Sequence, residues 1–155
     1  MLTVTRRLSP EETAAFDLAL ITLSLTADER TRSRHRFTTD DGQPVLLQLP
    51  RGTVLADGDI LVSELTPAAS NLAIRVLAKA EPVLSVTAST PLALLRGAYH
   101  LGNRHVPLEV AADYLRLMPD PVLADLLTQL GLQVEPAIAP FHPEAGAYGN
   151  KAMST

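Results

Sequence analysis

The sequence contains no cysteine and no tryptophan, and only 4% of its residues are aromatic. Without thiols the chain can form no disulfide and offers no thiolate to a metal, which excludes a cysteine nucleophile, a zinc ribbon and an iron–sulfur cluster of its own. Any metal it holds is held by imidazole, carboxylate or water. So few aromatics leave little on which single-stranded bases could stack. Basic residues are also the minority: 13 Lys and Arg against 17 Asp and Glu give a net charge of −4, which argues against nucleic acid as a partner. Long apolar runs are missing too. Acids, Arg, Thr or Pro interrupt every stretch well short of the roughly 18 residues that a membrane span requires, so no membrane partner is expected. The segment Met1 to Pro10 sets Arg6 and Arg7 behind an alternating run with no long apolar region after them. That is not the pattern of a signal peptide, and cytoplasmic residence is the expectation.

What is present is an ordinary folding composition. The 155 residues are 46% apolar and 19% charged, enough for one domain or two small ones with a real core. Up to about Lys79 the pattern is short alternating runs divided by turn residues, the signature of small all-β structure. Ala19, Ile21, Leu23 and Leu25 share one strand face, and turns at Asp41-Gly42, Arg51-Gly52 and Asp57-Gly58-Asp59 set off strands at Val45 to Leu49 and Ile60 to Val62. Ile74, Val76 and Ala78 form one more strand, after which Glu81-Pro82 is expected to interrupt the ladder because proline has no N–H. From Val83 the order becomes strand, helix, two strands, helix, strand, which predicts a ferredoxin-like α+β sandwich. The expected organisation is an N-terminal β domain over 1–75, a C-terminal βαββαβ domain over 76–139 and a mobile tail over 140–155.

Two helices follow from their own signals. Leu92 to Leu101 puts Leu92, Leu94, Leu95, Ala98, Tyr99 and Leu101 on one half and Arg96 and His100 on the other. Asp120 and Pro121 form an N-cap and first-turn pair, Leu123, Leu126, Leu127 and Leu130 form a stripe, and Gly131 stands at the C′ position. Strands are expected at His105 to Val110, Tyr114 to Met118 and Leu132 to Ile138.

Chemistry rests on the 4 histidines, the chain's only neutral nitrogen ligands. His35 lies in Arg30-Thr31-Arg32-Ser33-Arg34-His35-Arg36, which on a strand places Arg30, Arg32, Arg34 and Arg36 on one face. The ribbon is either a solvated edge or a docking surface for an acidic partner, and its cations disfavour a metal at His35. His105 should open a strand with Val106, Leu108 and Val110 toward the helices and His105 and Glu109 on the open face. Taken alone it is an ordinary surface histidine. A twofold axis changes that, because a residue close to the axis meets its own copy and two chains then offer two imidazoles from one position. Such a site would be open and reversible, as a carrier requires. His100, on the polar half of its helix, is either a locally bonded residue or a ligand. His142, between prolines in Pro140-Phe141-His142-Pro143-Glu144, is either a tail ligand or a plain exposed residue. No Gly-rich phosphate loop, G-x-S-x-G elbow or H-E-x-x-H occurs, so no enzyme is expected.

The string Ala98-Tyr99-His100-Leu101-Gly102-Asn103-Arg104-His105-Val106-Pro107-Leu108 resembles the UreE family of urease accessory proteins, as do Asp120 to Val134 and Pro140 to Gly149. The Arg-rich segment with the Asp40-Asp41-Gly42 and Asp57-Gly58-Asp59 turns resembles the family's N-terminal half. The resemblance implies a nickel metallochaperone: a β domain that contacts polypeptides, a ferredoxin-like metal-binding domain, and a homodimer joined through the latter. It implies His105 as the shared ligand at the dimer interface, Ni(II) as cargo, and the urease accessory GTPase and urease apoprotein as partners. Cu(II) and Zn(II) are expected to bind in vitro as well, since imidazole sites do not favour nickel intrinsically. The chain departs from the family in ending Asn150-Lys151-Ala152-Met153-Ser154-Thr155 without a His-rich stretch, and in carrying Pro119-Asp120-Pro121 where some relatives have extra histidines. Storage of many ions is therefore not expected. If no metal is bound, the alternatives are a protein-interaction module or a ferredoxin-like domain that senses a small molecule.

Overall fold

The computed structural model describes residues 1–65 and 71–145. They form two compact units, which divide between Lys79 and Ala80.

The first unit carries strands β1 (Leu2–Val4), β2 (Arg6–Arg7), β3 (Leu18–Leu25), β4 (Arg34–Thr38), β5 (Pro44–Gln48), β6 (Ile60–Val62) and β7 (Asn71–Ala78). They make a three-stranded sheet in the order β1-β5-β4 and a four-stranded sheet in the order β2-β6-β7-β3. The alternation read from the sequence sets the faces. Val4, Val45 and Leu47 from one sheet and Leu23, Leu25, Leu61, Ile74 and Val76 from the other meet in one core, while Ile60, Val62 and Ala73 point the opposite way into a smaller cluster with Leu8. The unit is not purely β. Helix α1 (Pro10–Ala15) is entered through a capping box, Glu12 N–H to Ser9 Oγ at 3.2 Å and Ser9 N–H to Glu12 Oε1 at 3.1 Å. The Ser-Pro-Glu-Glu spacing that makes it is visible in the sequence. Strand β7 continues through Ala78, paired with Leu25 of β3, so the expected division at 75/76 falls inside a ladder.

The second unit carries β8 (Ala80–Thr87), α2 (Pro91–Asn103), β9 (Glu109–Val110), β10 (Leu115–Leu117), α3 (Pro121–Gln129) and β11 (Gln133–Pro140), the βαββαβ order expected from the sequence. Its sheet is antiparallel in the order β11-β8-β10-β9. Proline does not interrupt β8. Pro82 pairs with Ile138 of β11, and β10 covers β8 only from Leu84 to Val86, so at Pro82 the strand has a ladder partner on one side alone, where proline is tolerated. Leu84 and Val86 meet Leu94, Leu101, Leu115, Leu117, Leu127 and Leu132 in the core. Helix α2 packs closely there because Gly97 has no side chain: a Cβ at that position would stand 2.7 Å from Leu132 Cδ1. Helix α3 follows its sequence signals, with Asp120 Oδ1 accepting from the N–H groups of Val122 and Leu123 at 2.9 and 3.1 Å.

Candidate metal centre

Helix α2 begins at Thr90, whose Oγ1 accepts from Ala93 N–H at 3.2 Å, with Pro91 in the first turn. It ends in a Schellman motif: His105 N–H donates to the Gly102 carbonyl at 3.0 Å and Val106 N–H to the Leu101 carbonyl at 3.2 Å. Val106 also packs against the core cluster that contains Leu101. The C′ residue must turn left-handed, and here it is His105, with φ of +57°. Helix α3 ends in the same motif, with Gly131 at C′ and φ of +85°. Among the described residues His105 is the one non-glycine with positive φ. A side chain there costs about 1 kcal/mol that glycine would avoid, and such outliers concentrate where the side chain has a task.

This corrects the expected placement of His105 on a strand. The Val106 N–H is committed to the helix end and Pro107 has no N–H, so the ladder starts only at Glu109. The imidazole is exposed and borders a recess lined also by Arg104, Met118 and Asp120.

Glu109, expected on an open face beside His105, is instead buried at 7% exposure. Its Oε1 accepts the main-chain N–H of His142 at 2.9 Å and its Oε2 accepts the Tyr114 hydroxyl at 3.0 Å, with Arg116 Nη1 at 3.7 Å. The hydrogen bond to this carboxylate, and then its charge, raise the Tyr114 pKa above the ordinary value. Arg116 lies over the Tyr114 ring at 4.5 Å. Composition marks this node only as an acid between Leu108 and Val110; the pairing that buries it is tertiary.

The start of the tail is also corrected. Strand β11 runs to Pro140, Phe141 is fully buried, and Glu144 N–H donates to the Leu108 carbonyl at 2.7 Å. Residues 140–145 are thus anchored, with the His142 side chain exposed. The rest of the tail, including the Asn150 to Thr155 ending, lies outside the described residues.

His100 is half-buried, its ring edge-on to Tyr99 at 5.4 Å between centroids, and its carbonyl accepts from Arg104 Nη1 at 3.2 Å. The expected apolar half of α2 is divided. Leu94, Gly97 and Leu101 are buried, whereas Leu92, Leu95 and Tyr99 are 55%, 66% and 68% exposed and run up the outer side of the helix that ends at His105.

The arginine ribbon is broken as well. Thr26 and Glu29 bond reciprocally, Thr26 N–H to Glu29 Oε1 at 2.9 Å and Glu29 N–H to Thr26 Oγ1 at 3.3 Å, leading into a 3₁₀ turn at Glu29–Thr31, so the chain bends before the alternation can form a strand. Arg30 is buried and its Nη1 donates to the Leu25 carbonyl at 3.0 Å. Arg32 pairs with Asp28 at 2.9 Å. Only Arg34 and Arg36 lie on β4, both exposed, with His35 between them against Phe37 at 4.6 Å.

Among the described residues no three His, Asp or Glu side chains form a group able to hold a metal ion. What one chain presents at the end of α2 is a single exposed imidazole on a rigid corner. Among those residues, too, no helix is long and apolar enough to cross a membrane.

A family model described as the UreE urease accessory protein N-terminal domain matches residues 4–77, and one described as the C-terminal domain matches 81–155. The chain is 56% identical over 150 residues to a protein named urease accessory protein UreE from Nostoc sp., covering 97% of each chain. Proteins of the same name are 50% identical over 151 residues in Burkholderia ambifaria, where 96% of this chain and 72% of the relative are covered, and in Microcystis aeruginosa, where the shares are 96% and 92%.

Proposed function

Since the chain belongs to the UreE family of urease accessory proteins, we propose that it is a nickel metallochaperone, delivering Ni(II) for assembly of the urease metallocentre. The observation that carries this reading is His105, an exposed imidazole in a left-handed conformation that glycine would adopt more cheaply. One such group per chain is too little for tight binding, so the centre is completed by a second copy across a twofold axis. The outward face of α2, with Leu92, Leu95 and Tyr99 exposed on the helix that leads to His105, supports a homodimer through the C-terminal unit. His142 adds a ligand at lower cost than a free tail would, because residues 140–145 are already ordered. His100, half-buried against Tyr99, is the weakest of these ligands.

Nickel here is cargo, and an open site with few protein ligands suits a carrier that must release it. Copper and zinc compete in vitro, copper most strongly. The recipients are the urease accessory GTPase and the urease apoprotein, reached in the cytoplasm, with no nucleic acid or membrane involved. Arg34 and Arg36 on β4 fit the docking of an acidic partner surface.

Calorimetry with Ni(II), together with a solution mass measurement, tests the reading. The expected result is a dimer with one tight ion per dimer, lost in His105→Ala and weakened on acidification, because a protonated imidazole has no lone pair for the metal. A monomer that binds nickel tightly, or a His105→Ala variant that binds as the wild type does, would overturn it. A dimer that takes up no metal while binding acidic partners through β4 would make the chain a protein-interaction module instead. A dimer binding a small molecule but no metal would make it a sensing domain.

A further inference from the structure

Residues 141–144 belong to no regular element, yet they are held along their length. Phe141 is fully buried, His142 N–H donates to Glu109 Oε1 at 2.9 Å, and Glu144 N–H donates to the Leu108 carbonyl at 2.7 Å. The segment leaves β11 and is fastened at β9, and these strands are the opposite edges of the four-stranded sheet. It is therefore latched to the stretch of chain that follows His105.

Both oxygens of Glu109 are engaged. Oε1 holds the clasp, while Oε2 accepts from Tyr114 at 3.0 Å and faces Arg116 Nη1 at 3.7 Å. A carboxylate kept 7% exposed and fixed on its inner side is a rigid anchor for a main-chain N–H, and its charge strengthens the bond. The bond falls on the backbone of His142 itself, so the imidazole remains free while its Cα is fixed.

We infer that Glu109 is a positioning residue: it holds the main chain at His142 so that this imidazole is presented to the metal from a fixed point, with the ordering of the segment completed on folding rather than on metal uptake. The inference rests on the nickel reading for its purpose but not for its geometry. Outer-shell partners of metal ligands act in this way, and their loss costs about tenfold or more in metal affinity.

Two conservative variants separate reach from charge. Glu109→Gln keeps the length of the side chain and an acceptor oxygen but loses the charge. Glu109→Asp keeps the charge facing Arg116 but withdraws the oxygen from His142. Amide hydrogen exchange in the metal-free full chain, with Leu127 as the reference for global opening, should show His142 exchanging at least about tenfold faster in Glu109→Asp and accelerated less in Glu109→Gln, which keeps the reach and loses only the charge. Equal exchange at His142 in wild type and Glu109→Asp would overturn the clasp, as would release by Glu109→Gln alone. In nickel calorimetry Glu109→Asp should weaken binding about tenfold, as should His142→Ala, and the double variant should be no weaker than either single one. Additive losses would show that Glu109 acts independently of His142 and would overturn the positioning role. A wild-type chain that takes up no nickel would fail the chaperone reading, and the exchange measurement would still decide the clasp.

Discussion

His105 and Gly131 occupy the same position in two copies of one helix-ending motif, with φ of +57° and +85°, at the ends of α2 and α3. Gly131 serves only the turn, and the chain there moves straight on into Leu132 and β11. His105 makes the same turn at a steric cost and carries an exposed imidazole through it. The pair therefore separates what the backbone needs at such a position from what a further task needs.

Replacing His105 by glycine should raise stability by about 0.5–1 kcal/mol, the left-handed penalty being partly offset by the greater freedom of glycine in the unfolded chain. Nickel binding should be lost in the same variant. Denaturant midpoints and calorimetry check both, and a glycine variant less stable than the wild type would show that the helix end is not strained.

Tyr114 should titrate at lower pH in Glu109→Gln than in the wild type. Its pKa is raised first by the hydrogen bond to Glu109 and then by that charge, with Asp113 adding to the effect and Arg116 opposing it. Losing the carboxylate removes the two largest causes. A difference titration of phenolate absorbance would detect the change, and an unmoved titration would mean the hydrogen bond is absent in solution.

Acid should weaken the start of the chain through Glu12. Its carboxyl is pulled down to about 2 by the hydrogen bond from Arg6 at 2.7 Å and then by the Ser9 N–H. A depressed carboxylate stabilises the fold above its unfolded pKa, and that contribution fades as pH falls from the ordinary value of 4.5 toward about 2. Stability profiles of wild type and Glu12→Gln should thus differ above this window and converge below it. Parallel profiles throughout would show that the Arg6 and Ser9 hydrogen bonds to Glu12 add no pH-dependent stability.

Reversing Arg34 and Arg36 to glutamate should slow association with an acidic partner about tenfold at low salt and flatten its salt dependence, without altering nickel affinity. Stopped-flow association at several ionic strengths measures the first effect and calorimetry the second. Loss of nickel binding in this variant would tie β4 to the metal site or to folding.

Sequence by itself determined the features that depend on near neighbours along the chain. The Asp120-Pro121 start and Gly131 stop of α3, the alternation that buries Leu23, Leu25, Ile74 and Val76, and the βαββαβ order all follow from short-range signals, and all are present. Tertiary structure decided whatever depended on residues far apart in sequence. The periodicity of α2 marks an apolar half but not which part meets the sheet, so Leu94 and Leu101 are buried while Leu92, Leu95 and Tyr99 face outward. Alternation in the arginine segment yields to the 3₁₀ turn and to burial of Arg30 under the Leu25 carbonyl. The tail looks free because its prolines and short polar stretches carry no helix or strand signal. Its first residues, 140–145, are held because Phe141 finds a buried site and the His142 N–H finds Glu109, 33 positions away in the chain. A buried carboxylate and an unpaired main-chain N–H each lower their free energy by meeting, and only the folded sheet brings them within reach.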